Sequence, residues 1–379
     1  MDFSLSEELL TLRRSANDFL ANEVNLAPLL KPGATVEQAG YDSLWPKLVE
    51  LGWPAMIVPE AHGGLGMSLL ELSMIITECG RFLAAAPLFG TLAGAWAIEA
   101  AGSAEQKSRW LPKVASGSLR LALAVPELDE VCDLAQDDLE VVRTGHGSRL
   151  SGVREFVVDA GAADKVVVLA ASARGQQCWL VDRNAKGVTI DILDWRDITR
   201  QVCRVGFDDV QAEPLEAGPP NLWARLRDRL LLVLAAESAG GLQGVLESTV
   251  SYAKERVAFG RPIGAYQSIK HSLADMLVQA ECTATAVLYA AWALSEEDES
   301  ATLATAMAQS QASEAFRDAS FRSIQIFGAI GFTWEMKNHL YYKRARANTE
   351  LLGAPSRHRE RIMRILEARH VEKRGKAGR

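Results

Sequence analysis

The chain has 379 residues, 48% of them hydrophobic, and a formal net charge of -7. That length and apolar content predict two or three packed subdomains rather than one small core. The acidic balance argues against nucleic acid or an anionic membrane surface as partner of the whole molecule.

In chain order, the opening stretch MDFSLSEELL is acidic and amphipathic rather than signal-like, which predicts a cytoplasmic protein. Ser4 and Glu7 fit a capping box, with Leu9, Leu12, Ala16 and Phe19 following on one helical face. A second helix is predicted over about Tyr41 to Leu51, ending at Gly52. The stretch PEAHGGLGMSLLELSMIITECG is a glycine loop feeding a helix. It is preceded by no clear strand and followed by no Lys-Ser/Thr, so a turn is favoured over a phosphate cradle. From Leu119 the character changes. LRLALAV, RLSGVREFVV, KVVVLAAS, QQCWLVDR, GVTIDIL and CRVGFDDV are short, rich in Val and Ile, and punctuated by Gly, Asp and Asn. They predict an antiparallel β domain of six or more strands. After AEPLEAGPPN the chain becomes helical again, over about 222–255, 265–295 and 301–326, near His339, and over about 356–371. The tail EKRGKAGR is expected to be disordered. No run of about eighteen apolar residues is free of charge, so no membrane span is expected. The five cysteines, Cys79, Cys132, Cys178, Cys203 and Cys282, form no CxxC pair. That fits free thiols in a reducing compartment and gives no metal-ligand spacing. Lys343, Arg344 and Arg346 form a local basic cluster that suits either phosphate or a solvated helix face.

Two stretches break the helical pattern. ERVAFGRPIGAYQSIKHSLADM presents Arg256 and Gln267 around a Gly-Pro turn region, and RSIQIFGAIGFTWE sets Gln325 beside paired glycines. Singly, Arg256 suits a surface charge, Gln267 a helix cap and Gly328 a bend. Together, with PEAHGGLGMSLLELSMIITECGR and AEQKSRWLPKVASG, they resemble the acyl-CoA dehydrogenase family over essentially the whole chain. The resemblance implies a mostly α protein with a central β domain: an N-terminal helical domain (1–117), a β-barrel (118–217) and a C-terminal four-helix bundle (218–379). It implies FAD as cofactor, an acyl-CoA substrate and an electron-transfer flavoprotein as acceptor. By the same resemblance Arg256, Ala258, Phe259 and Gln267, with Gln325, Phe327, Gly328 and Ala329, reach the FAD of a neighbouring subunit. An arginine offers charge-assisted forked donors to a pyrophosphate, and glycine lets backbone approach closely. Ala329 stands where the family has a second glycine.

Three family features are altered. AVPELDEVCDLAQDD puts Val125 where a threonine hydroxyl is usual. FVV (Phe156 to Val158) replaces the Trp-Ile-Thr segment beside the flavin ring. The two family positions for the catalytic glutamate correspond to Leu352, before Gly353, and to Leu230. Neither leucine takes a proton. Glu237, seven residues after Leu230 and about two helical turns along the same face, is the candidate base. Its apolar context predicts a raised pKa, and the alternative is an ion pair with an arginine in the bundle. The half that serves a neighbour is kept while the half that holds a flavin ring of its own is altered. This asymmetry resembles the partner-type subunits of heteromeric steroid side-chain acyl-CoA dehydrogenases, as do PEAHGGLGMSLLELSMIITECGRFLAAAPL and RTGHGSRLSGVREFVVDAGAADKVVVLAA. The resemblance thus implies a second related subunit in an α2β2 assembly. A self-sufficient homotetramer using Glu237, a flavin-free helical scaffold and other flavin chemistry remain as alternatives.

Overall fold

The structure is a computed structural model, and it describes residues 5–134, 139–144, 147–172, 175–216 and 218–377. Five helices come first: α1 (Glu7–Glu23), α2 (Tyr41–Glu50), α3 (Leu69–Phe82), α4 (Leu88–Ala101) and α5 (Ala104–Ala115). The cap of α1 is Ser6, whose hydroxyl accepts from Leu9 N–H at 3.3 Å, rather than Ser4, which lies outside the described residues. The glycine loop before α3 is a tight turn: a Cβ on Gly64 would lie 1.9 Å from the Val58 carbonyl oxygen. Ser68 and Glu71 then form a full capping box.

Seven strands follow: β1 (Leu121–Ala124), β2 (Glu140–Thr144), β3 (Gly147–Val158), β4 (Lys165–Ser172), β5 (Gly175–Asp182), β6 (Val188–Ile192) and β7 (Val202–Pro214). They form one curled sheet in the order β1-β4-β5-β7-β3-β2, with β6 also on β7. All pairings are antiparallel except β1 with β4, which is parallel. The thirteen-residue β7 pairs with β5 at one end and with β3 and β6 along the rest, so it carries the curl. Strand β4 is apolar on both faces for a reason. Val166 and Val168 pack inside the curl with Val181, Val205 and Phe207. Val167 and Leu169 face outward and pack with Trp96 and Leu121 beneath the N-terminal helices.

The C-terminal half contains α6 (Leu222–Glu255), a small hairpin of β8 (Val257–Ala258) and β9 (Arg261–Pro262), α7 (Gln267–Ser295), α8 (Ala301–Phe327), α9 (Asn338–Glu350) and α10 (Pro355–Ala377). Helix α10 continues past Val371 into the tail expected to be disordered; Gly378 and Arg379 lie outside the described residues. By length and composition alone, α6 and α7 are apolar enough to cross a membrane, a test that the core helix of a folded domain also passes. The apolar stretch of α6 is 89% buried inside the protein, as a core helix requires. Leu242, Val245 and Leu246 of α6 pack with Met276 of α7, Phe316 of α8 and Leu340 of α9. All five cysteines are free thiols, four of them buried.

Helices α3 and α6 approach at two glycines. A Cβ on Gly80 would sit 1.9 Å from the Glu237 carbonyl oxygen, and one on Gly240 would sit 1.7 Å from the Thr77 carbonyl oxygen. These contacts are backbone on backbone, so no side chain can rotate away. Gly240→Ala is expected to cost at least about 1–3 kcal/mol by overpacking. Thermal or urea unfolding followed by circular dichroism checks this, and an unchanged midpoint would show that the two helices separate freely.

Candidate functional site

A cleft of about 900 Å³ opens where α4, the curled sheet, α6 and the α9–α10 junction meet. Phe89, Ala93, Leu123, Leu230, Leu351 and Leu352 form an apolar part of its wall. Val125, Phe156 and Val158, the altered ring-side residues, also line it. Leu230 comes from α6 and Leu352 from the turn between α9 and α10, yet both reach the same cleft. Glu127, Arg154, Glu155, Glu350 and Arg357 line it too, and the Glu155 carboxylate accepts from Arg204 at 2.6 Å.

Two backbone features shape this wall. Phe156 and Leu352 both have left-handed backbone, at φ 56° and 58°. That conformation is uncommon for non-glycine residues. Trp195, from the loop between β6 and β7, reaches the cleft and sits 5.9 Å from Phe156, ring centre to ring centre. An indole is therefore present beside Phe156, though it comes from 39 residues further along the chain. Sequence alignment by segment could not reveal it, because the contact depends on how the sheet curls.

Glu237 sits elsewhere. It is 7% exposed and lines a second, smaller cavity of about 40 Å³, not the large cleft. Both its carboxylate oxygens accept from Arg200 Nη2 at 2.6 Å. Oε1 also accepts from Arg344 Nη1 at 2.6 Å, and Oε2 from Asn348 Nδ2 at 2.9 Å. Arg344 in turn donates to Asp197 at 2.5 Å and to Thr199. The expectation of a raised Glu237 pKa is corrected. Burial alone raises it, but the two guanidinium groups and the Asn348 amide outweigh burial and lower the pKa to about 2. Arg344 is likewise corrected: it is 1% exposed and ion-paired, not on a solvated basic face. Its neighbours differ, since Lys343 lies over the Trp334 ring at 4.6 Å and Arg346 is exposed.

Asp159 adjoins this network. Its two oxygens accept from Tyr41 Oη at 2.9 Å and from the Gly90 backbone N–H at 2.8 Å. Tyr41 Oη accepts from Gln201 N–H at 2.7 Å. Complete burial raises the Asp159 pKa to about 6, against the pull of the Gly90 bond and Arg200. Sequence inspection missed Arg200, Asp197, Asp159 and Asn348. The available signal was that Tyr41, Arg344 and Asn348 fall on the buried face of their helices.

The residues expected to meet a cofactor converge at one pole of the bundle. Arg256 ends α6, Ala258 is in β8, and Phe259 and Gly260 form the hairpin tip with φ of 51° and 79°, as a two-residue hairpin turn requires. Gln267 is the first residue of α7, and Gln325 and Phe327 are in the last turn of α8. Tyr252 joins the two segments: its ring stacks on Phe327 at 3.9 Å and its hydroxyl meets the Phe327 carbonyl at 3.4 Å. Arg256, Gln267, Gln325, Gly328 and Ala329 are all exposed. Phe259 is 97% exposed and Phe332 67%. Gly328 has φ 71°, and a Cβ there would meet no atom within 4 Å. The backbone is thus open to a group approaching from outside the chain.

Models described as acyl-CoA dehydrogenase N-terminal domain and C-terminal domain match residues 6–118 and 229–367. The chain is 32% identical over 367 residues to acyl-CoA dehydrogenase IpdE2 of Mycobacterium tuberculosis, covering 96% of this chain and 97% of that one. It is similar to a solved structure of a Tcur3481-Tcur3483 steroid ACAD variant, with a TM-score of 0.86 and 30% identity, covering 97% and 100% of the two chains. It is also similar to a chain of the ChsE4-ChsE5 complex from Mycobacterium tuberculosis, with a TM-score of 0.84 and 25% identity over 97% and 99%.

The Glu237 pairing has a signed pH dependence. Its folded pKa lies below the ordinary 4.5, so its stabilisation is fully present above about 4.5 and is lost as pH falls through about 2. At roughly 1.4 kcal/mol per pKa unit this is about 3 kcal/mol. Asp159 acts oppositely: raised from 3.8 to about 6, it favours the fold at low pH and loses that effect as pH rises through about 6. Glu237→Gln is expected to cost about 3–5 kcal/mol at neutral pH, because it leaves buried arginines uncompensated. Urea unfolding at a series of pH values should show the gap from wild type narrowing below pH 4.5. A gap independent of pH would remove the assignment of an ionised, paired Glu237.

Proposed function

This chain belongs to the acyl-CoA dehydrogenase family, and on that premise we propose that it is a subunit of an FAD-dependent acyl-CoA dehydrogenase working beside a second, related chain in an α2β2 assembly. One observation carries the proposal: the chain has an exposed, open pole at Arg256, Gln267 and Gln325, and a separate cleft with leucines at both family base positions. The pole fits FAD offered by a neighbour. Arg256 provides a charged fork for a pyrophosphate. Gln267 stands at the N-terminus of α7, where unpaired N–H groups and the helix dipole favour an anion. Gly328, with Ala329 beside it, leaves the backbone accessible, while Ala258, Phe259 and Phe327 supply apolar surface. When bound, FAD supplies the two-electron acceptor of α,β-dehydrogenation.

Within this chain's own cleft, Val125 and Val158 offer no hydroxyl, and Leu230 and Leu352 take no proton. A base must stand within reach of the hydrogen it removes. Glu237 is therefore proposed as a structural carboxylate rather than the base: its oxygens are already engaged by Arg200, Arg344 and Asn348, and it lines a different cavity. This disfavours a self-sufficient homotetramer that uses Glu237; Glu127, Glu155 and Glu350 line the cleft, but none of them stands at either family base position. The exposed pole, which contributes little to this chain's own core, disfavours a flavin-free scaffold. The cleft volume and the likeness to steroid ACAD chains support a bulky, apolar acyl thioester as ligand of the assembly. An electron-transfer flavoprotein is the acceptor this function implies.

Expressed alone, the chain is expected to elute with little flavin absorbance, and to gain flavin and stability with its partner chain. Arg256→Ala in that complex should weaken FAD binding by about 1.5–3 kcal/mol, or roughly 10- to 150-fold. Size-exclusion chromatography with a flavin absorbance trace tests both statements. A stable homotetramer of this chain with one FAD per subunit, oxidising an acyl-CoA, would overturn the heteromeric proposal.

A further inference from the structure

Asp159 directly follows Val158, and Gly90 directly follows Phe89. Val158 and Phe89 line the cleft and pack together. Asp159 is 1% exposed, with left-handed backbone at φ 64°. One of its carboxylate oxygens accepts from the Gly90 N–H at 2.8 Å and the other from the Tyr41 hydroxyl at 2.9 Å. Gly90 lies in the first turn of α4, where an N–H has no partner within the helix. The Asp159 N–H donates to the Gln201 carbonyl at 3.0 Å, and the Gln201 N–H donates back to Tyr41 Oη at 2.7 Å. The backbones are pressed together at this point: a Cβ on Gly90 would lie 2.8 Å from the Leu121 carbonyl oxygen and 3.0 Å from that of Val158. One carboxylate thus ties together α2, α4, the end of β3 and the loop between β6 and β7. An asparagine would offer two hydrogen-bonding atoms here without burying a charge, so the charge itself calls for a reason.

We infer that Asp159 is a positioning residue: as a carboxylate it holds α4 at Gly90 against the end of β3, and taking up a proton slackens that wall of the cleft. The Gly90 N–H can only donate, and a bond to an ionised oxygen is roughly twice as strong as one to a neutral oxygen. Tyr41 is affected too. A protonated Asp159 that keeps Gly90 on one oxygen carries its hydrogen on the other, facing Tyr41 Oη, so the tyrosine hydrogen must turn away from its acceptor. The titratable and charged groups around the carboxylate are Tyr41 of α2, Cys79 of α3, Glu237 of α6, Arg344 of α9, Arg200 of the loop and Cys203 of β7. Burial outweighs the two arginines, themselves paired with Glu237, and places the titration at about 6. Protonation therefore relieves a buried charge and favours the fold as a whole, while it weakens this one tie. The inference concerns this chain's own cleft and does not depend on which ligand the cleft takes.

The test is nuclear magnetic resonance on the full-length chain, isotopically labelled at phenylalanine carbonyls and glycine nitrogens, so that any partner chain stays silent. A carbonyl-to-nitrogen correlation then shows only the Phe-Gly pairs 89–90, 259–260 and 327–328. The last two stand at the exposed pole and serve as references. The Gly90 signal should move with a midpoint at about pH 6, which the other two should not share. Hydrogen exchange at Gly90, taken as a ratio to Gly260 in the same dipeptide, should quicken about five- to tenfold from about pH 7 to about pH 5. Asp159→Asn should hold the Gly90 signal near its low-pH position throughout. Tyr41→Phe removes a donor to the charged form and should raise the midpoint by about one unit; it also serves if the asparagine variant fails to fold. A Gly90 signal and exchange ratio that stay constant between about pH 5 and pH 8 would overturn the inference. So would a Gly90 signal that still titrates in folded Asp159→Asn, or a midpoint unmoved by Tyr41→Phe.

Discussion

The buried ion pairs around Glu237 are the constraint on which the rest of the structure depends. Glu237 comes from α6, Arg344 and Asn348 from α9, and Arg200, Asp197 and Thr199 from the loop between β6 and β7. Asp159 and Tyr41 extend the contacts to the end of β3 and to α2. Taking such charges out of water costs several kcal/mol each, and only a complete set of partners offsets that cost. The set is complete only when N-terminal helices, sheet and bundle are all in place. The network therefore acts as a registry device between elements far apart in sequence. The glycine contacts of α3 with α6 fix the remaining freedom, because Gly80 meets the Glu237 backbone itself.

Once Glu237 is fixed, the positions along α6 acquire separate roles. Leu230 faces the large cleft and Val233 the small cavity. Seven residues are about two turns, or roughly 10 Å of helix rise. A carboxylate held at one end of that span by two arginines cannot serve chemistry at the other. The same electrostatics that stabilise the fold keep Glu237 ionised far below neutral pH and engaged with hydrogen-bond donors. Sequence proximity on one helical face thus gave the right face and the wrong depth.

What was legible in the sequence follows from local physics. The bounds of α6 and α8 match closely because punctuation and caps are local signals, and the strands of the sheet were visible as Val-rich runs between turn residues. The parallel pairing of β1 with β4 was hidden, because a crossover leaves no local mark. So was the reach of Trp195 to Phe156, which depends on the curl of the sheet. Arg344 was misjudged by charge clustering: Lys343, Arg344 and Arg346 look alike in a row. Helical periodicity separates them, since Tyr341, Arg344, Ala345 and Asn348 all fall on the buried face. The alternative kept open for Glu237, an arginine partner, is the one the structure contains. Its partner Arg200 could not be named, because it comes from the loop between β6 and β7.

The exposed pole has a different physical character from the network. Phe259 carries a left-handed backbone and 97% exposure. A phenyl ring in water gains nothing from the hydrophobic effect, and left-handed backbone at a non-glycine residue adds strain. Val257 and Phe332 nearby are also exposed, at 57% and 67%. Tyr252 stacked on Phe327 holds the two segments together from beneath, so the surface is supported although it is uncovered. A supported apolar surface flanked by Arg256, Gln267 and Gln325 suits a partner that brings both apolar contact and an anionic group. That combination is what a neighbouring subunit carrying FAD would bring. The proposed neighbour would therefore account for the pole better than the fold that carries it does.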